Sequence, residues 1–148
     1  MAPTDAPTDG LEPPKSVISN LTAWGTSAIP PMTLTTLIIA LHARPFQPLP
    51  MLFTPLLVFS SYLTLAGFRI DGAGMTAAWS GIYVLLAARR RPASLRSKFL
   101  SLRGGVRGAA MGLGAANTVA GLYTYGTGDR KAEEEERREV NRWGVYKD

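Results

Sequence analysis

The chain contains no cysteine and a single histidine, His42. The first absence excludes a disulfide framework, a thiolate zinc site, an iron–sulfur centre and a cysteine nucleophile. The second excludes a multi-histidine metal centre and a haem held by two histidines. Charge is also missing, but only locally. From Ser16 to Phe68, 53 residues, the one formal charge is Arg44, where an even spread would place about nine or ten. The averages conceal this: 148 residues, 46% hydrophobic, 18% charged and net +5 would suit a small soluble domain. Charge displaced from long apolar stretches points instead to membrane-spanning segments.

The first fifteen residues hold a tandem Ala-Pro-Thr-Asp repeat, four prolines, three acids and Lys15. Such a segment buries too little apolar surface to offset its ordering entropy, so residues 1–22 are expected to form a disordered, Pro-rich tail. The start lacks the basic and apolar regions of a secretory signal and the arginines of a mitochondrial presequence. Targeting information is therefore expected within the chain.

Four low-charge windows follow, to be judged against the roughly 20 helical residues that cross a hydrocarbon core. They are residues 24–43, 45–68, 72–88 and 108–128. Pro30-Pro31 in the first leaves two options: a short helix that starts at the pair, or a kinked span. Pro55 predicts a kink in the second. The expected fold is all-α, an integral membrane bundle of four transmembrane helices, or three if the first window does not cross. Residues 129–148 are expected to form an exposed charged helix ending in an aromatic tag, with Glu133/Arg137 and Glu134/Arg138 as i,i+4 pairs.

With four spans, Arg44 and the loop cations Arg89, Arg90, Arg91, Arg96, Lys98, Arg103 and Arg107 share one side, for +8, against −3 on the other. The positive-inside rule then places the basic loop in the matrix or cytoplasm and both termini opposite. The same seven loop cations suit anionic phospholipid headgroups, cardiolipin among them. With only Phe99 available for base stacking, a nucleic-acid partner is not expected.

A small residue recurs every fourth position at Gly104, Gly108, Gly112, Ala116 and Ala120, and a second series in the third window contains Gly74, Ala78 and Gly81, with Ala77 beside them. Lipid gives helices no hydrophobic reason to associate, so small side chains that permit close backbone approach are read as the helix-packing interface, within the chain or toward a foreign subunit. Apart from His42 at the very end of the first, the windows contain no acid or base that would mark a proton or substrate path. His42 and Asp71 lie at window edges, Asn117 is expected to make an interhelical hydrogen bond, and Trp24 to serve as an interfacial anchor or packing residue. Catalytic, cofactor-binding and metal-binding residues are therefore expected to be none.

Pro30-Pro31-Met-Thr-Leu-Thr-Thr-Leu, Asp71-Gly-Ala-Gly-Met-Thr-Ala-Ala-Trp79-Ser-Gly-Ile-Tyr83 and Gly121-Leu-Tyr-Thr-Tyr-Gly126 occur in that order. In these stretches the chain resembles the fungal mitochondrial membrane proteins named for altered inheritance of mitochondria, a family that includes an accessory subunit of respiratory complex I in some fungi. The resemblance implies a non-catalytic accessory role in the mitochondrial inner membrane, with membrane-arm subunits of complex I as partners. Two rivals stand beside it: a free-standing inner-membrane organiser, and a small carrier of uncharged solutes using hydroxyls such as Thr33, Ser60, Ser61 and Thr118.

Overall fold

The computed structural model describes residues 16–89 and 101–142, and among them there are helices and no strands. Ser16 caps α1, Val17–Gly25, by accepting from the Ser19 amide at 3.2 Å. Residues 17–22 are therefore helical rather than part of a disordered tail, and residues 1–15 lie outside the described residues. After a bend of 62° comes α2, Ile29–His42, with Pro30 and Pro31 in its first turn. The pair thus starts a short helix, since the amides that proline lacks would be unpartnered there in any case.

Pro48–Met51 forms α3 and Phe53–Leu65 forms α4; together they make one run of 18 residues interrupted at Leu52. Pro55 accounts for the break, because it cannot donate to the Met51 carbonyl and its ring crowds that oxygen. Gly67, at φ 91°, then reverses the chain: the Phe68 amide reaches the Leu63 carbonyl at 2.9 Å, the glycine-terminated helix end that frees the next helix to start at once. Helix α5 spans Arg69–Arg89, α6 spans Leu102–Thr127 and α7 spans Arg130–Arg142.

Helices α2, α4, α5 and α6 alternate in direction and pack as a bundle. One end brings together His42, Phe53 and Tyr83, with ring centroids 6.3 and 6.0 Å from Tyr83. At the other, Ser61 reaches the Ala28 carbonyl and Gly72 lies against Ser60 and Thr64. The core changes character between them. Leu34, Ile38, Leu41, Phe53, Leu57, Tyr83 and Ala110 fill the first end with large side chains. Toward the second, the buried residues are Ser60, Ser61, Thr64, Ala73, Thr76, Ala77, Asn117, Ala120 and Thr124.

By length and apolarity, one helix among the described residues, Pro48–Leu65, can cross a membrane, and a second if the bent α1–α2 pair is one span. Helices α5 and α6 are long enough, at about 31 and 39 Å for 1.5 Å per residue, but they are made of Gly, Ala, Ser and Thr over much of their length and fall short of that apolarity.

Candidate functional site: a close-packed polar seam

Helices α5 and α6 share the most extensive contact of the bundle. On α6 the inward face is Ala110, Gly114, Asn117, Ala120, Gly121 and Thr124, at steps of three and four that keep to one side of a helix. On α5 it is Gly72, Ala73, Thr76, Ala77, Ser80 and Tyr83. A methyl group on Gly121 would stand 2.5 Å from the Ala73 carbonyl oxygen and 2.9 Å from Ala77 Cβ; one on Gly114 would stand 2.6 Å from Val84 Cγ2. Backbone meets backbone here only because those side chains are hydrogen.

The expected interface is thus displaced in part. Gly74 packs under the Tyr125 ring, Gly81 against Thr118, and Ala120 is buried. Gly104 and Gly108 are half-buried. Ala78, Gly112 and Ala116 instead point outward, and a methyl on Gly112 would meet nothing within 4 Å. Helix α6 carries small residues in two registers two positions apart, so spacing alone does not select between them. Asn117 does. The register that contains this amide, which accepts from the Trp24 indole, is the buried one.

Most hydroxyls of the seam are satisfied locally. Ser60 donates to the Leu56 carbonyl, Ser61 to Leu57, Thr64 to Ser60, Thr35 to Pro31 and Thr118 to Gly114, at 2.8–3.1 Å. Ser61 also reaches the Ala28 carbonyl at 3.3 Å and so ties α4 to the start of α2. Among the described residues five buried polar atoms have no hydrogen-bond partner, and three of them belong to this seam: Ser80 Oγ, Asn117 Nδ2 and Thr124 Oγ1; the others are Thr54 Oγ1 and Arg137 Nε. The other side of the Asn117 amide is used, since Trp24 Nε1 donates to Asn117 Oδ1 at 3.0 Å and fastens α1 across the bundle. Trp24 is therefore a docking residue for α1, with Gly25 pressed beside it so that a methyl there would lie 2.7 Å from the Ala120 carbonyl.

Replacing Asn117 with leucine should loosen α1 specifically. Losing the acceptor leaves the indole N–H unpaired, at a cost of about 1–2 kcal/mol. Amides of residues 17–25 are then expected to exchange roughly tenfold faster, with Trp24→Phe giving the same acceleration and the double variant adding little. Independent, additive effects would show that the two residues do not act through this bond.

The charged C-terminal helix is docked, not free. Asp129 caps it through the Lys131 amide at 2.9 Å. Glu133 accepts from the Ile70 amide at 2.9 Å and so satisfies the first turn of α5, while Arg137 lies 3.9 Å over the Phe68 ring. Arg69 pairs with Glu136 at 3.3 Å and Arg130 with Asp71 at 3.7 Å, both half exposed and each worth under about 1 kcal/mol. Of the two expected i,i+4 pairs, Glu134/Arg138 forms, whereas Glu133 and Arg137 turn to the α4–α5 turn instead. The aromatic tag, Trp143 to Tyr146, lies outside the described residues.

At the opposite end, Arg103 donates to the Leu41 carbonyl at 3.2 Å and Arg107 to the Ala87 carbonyl at 2.8 Å, while Arg89 is exposed. Arg90, Arg91, Arg96 and Lys98 lie outside the described residues. His42 is half-buried, its Nδ1 3.0 Å from the Ile38 carbonyl. Among the described residues no group of three or more His, Asp or Glu side chains is placed to hold a metal ion.

No family model, curated protein or solved structure matches the chain. The seam supplies hydroxyls, one amide and closely apposed backbones, the equipment of a site that holds helices together.

Proposed function

We propose that this chain is a non-catalytic accessory subunit embedded in a membrane, where its four-helix bundle lends assembly and stability to a larger complex. The observation that carries the reading is an inversion of surface and core over the half of the bundle opposite the Leu34–Phe53 cluster. On α4, three of the five buried residues are Ser60, Ser61 and Thr64, while Val58, Phe59, Tyr62 and Leu65 face outward. On α6, Asn117 and Thr124 are buried, and Val119 and Leu122 are each 59% exposed. In water the arrangement would run the other way. In a bilayer it is the economical one, with the α1–α2 pair, the α3–α4 run, α5 and α6 as four spans, the uncharged windows at membrane depth, and the basic and acidic ends in opposite aqueous phases.

The resemblance noted above directs the proposal to mitochondrial NADH:ubiquinone oxidoreductase, with this chain in the inner membrane beside membrane-arm subunits and its termini in the intermembrane space. The expected result on a mild-detergent native gel of mitochondrial membranes is comigration with a megadalton NADH-oxidising band. Deleting the chain should lower the amount of that band and leave turnover per assembled complex nearly unchanged. Migration as a small separate species would favour the free-standing organiser. The three unpartnered polar atoms along α5 and α6 favour a second reading, passage of water or an uncharged solute, which flux into reconstituted vesicles tests directly.

A further inference from the structure

The two ends of the bundle treat their cations differently. At the α7 end, Arg69, Arg130 and Arg138 each pair with a carboxylate. At the other, Arg44, Arg89, Arg103 and Arg107 stand where α2 and α5 finish and α6 begins, and among the described residues that end has no Asp or Glu. Arg103 and Arg107 are one turn apart on α6, and their bonds to the Leu41 and Ala87 carbonyls answer the negative ends of two helix dipoles. These bonds fix where the positive charge stands. Arg44 and Arg89 are exposed and make no ion pair among the described residues.

Large apolar side chains are interleaved with these cations. Phe46, two residues after Arg44, is 67% exposed, Leu85, one turn before Arg89, is also 67% exposed, and Leu102, next to Arg103, is 90% exposed. Water disfavours those three side chains, and hydrocarbon disfavours the guanidinium groups. The level at which both are accommodated is the boundary between headgroups and acyl chains. A soluble acidic partner would answer the charges and leave the apolar groups uncovered.

We infer that this end is a binding surface for anionic phospholipid, in which phosphodiester groups meet Arg44, Arg89 and Arg103 while the upper acyl chains cover Phe46, Leu85 and Leu102. The inference rests on the membrane reading above and adds to it a leaflet: lipid selectivity belongs to the basic end alone, because at the other end carboxylates outnumber the cations and pair with Arg69, Arg130 and Arg138.

The test uses the full-length chain, reconstituted into phosphatidylcholine vesicles with and without phosphatidylglycerol and then extracted in mild detergent, with retained phospholipid identified by native mass spectrometry. The wild-type chain is expected to retain phosphatidylglycerol over phosphatidylcholine. Arg44→Gln and Arg89→Gln, both at exposed positions that bear no structural bond, should each lower that preference about fivefold. Arg69→Gln with Arg130→Gln, at the opposite end, should leave it unchanged. Equal retention of the two lipids by the wild-type chain, or an unaltered preference in the Arg44/Arg89 variant, would overturn the lipid surface while leaving membrane insertion intact. A chain that alkaline carbonate strips from neutral vesicles would overturn the membrane reading itself.

Discussion

Gly121→Leu is expected to prevent accumulation of the folded chain, whereas Gly112→Leu is expected to leave the isolated protein as stable as the wild type. The two positions lie on one helix and differ only in what they face. At Gly121 even the first added carbon would press to 2.5 Å from the Ala73 carbonyl oxygen and 2.9 Å from Ala77 Cβ, both on the opposing helix. Relief requires α5 to move as a body, since the obstruction includes backbone, and overpacking of this kind costs at least 1–3 kcal/mol for smaller insults (roughly, in well-packed cores). At Gly112 the same carbon meets nothing within 4 Å. Thermal melting in detergent and the amount of protein recovered from membranes both report the difference. Comparable behaviour of the two variants would mean that α5 and α6 do not approach as closely as described.

The second large effect concerns the outer face. Val58→Lys and Phe59→Lys alter two outward side chains, 41% and 48% exposed, in the middle of the run most able to cross a bilayer. Were this face in water, both changes would be nearly neutral or would improve solubility. In hydrocarbon each lysine near the centre of a span costs about 2.5–3.5 kcal/mol on the insertion scale, partly offset when the side chain reaches for the interface. The double variant should therefore fail to insert, which glycosylation-site mapping or protease protection would register. Ala78→Lys on α5, an exposed position on a helix of lower apolarity, makes the companion test: full insertion of all three lysine variants would show that these faces meet water.

Much of this architecture was legible in the sequence, for reasons that differ from element to element. The helices follow from long uncharged windows, and the start of α2 follows from Pro30-Pro31, because proline is restrictive enough to fix a boundary by itself. The break before Pro55 follows in the same way. What the sequence could not decide was which of two small-residue registers on α6 faces inward, since Gly112 and Gly114 are chemically the same residue and the choice depends on what Ala73 and Ala77 present from α5. Helix α1 was missed because its residues, with Ser19, Asn20 and Thr22 among them, have weak intrinsic preference for helix, and its anchor, the bond from Trp24 to Asn117, spans 93 positions. The docking of α7 was hidden for a related reason. Glu133 has an apparent partner four residues away in Arg137, and the one it takes, the Ile70 amide, lies 63 positions back.

That last bond also ties two distant helix ends together. Phe68 offers no capping side chain to the first turn of α5, and the Ile70 amide there is answered by Glu133, 63 positions later. Loss of that carboxylate would leave the α4–α5 turn with an unanswered amide while every helix remains in the chain, so Glu133→Ala is expected to speed hydrogen exchange at Ile70 before it loosens the rest of the bundle.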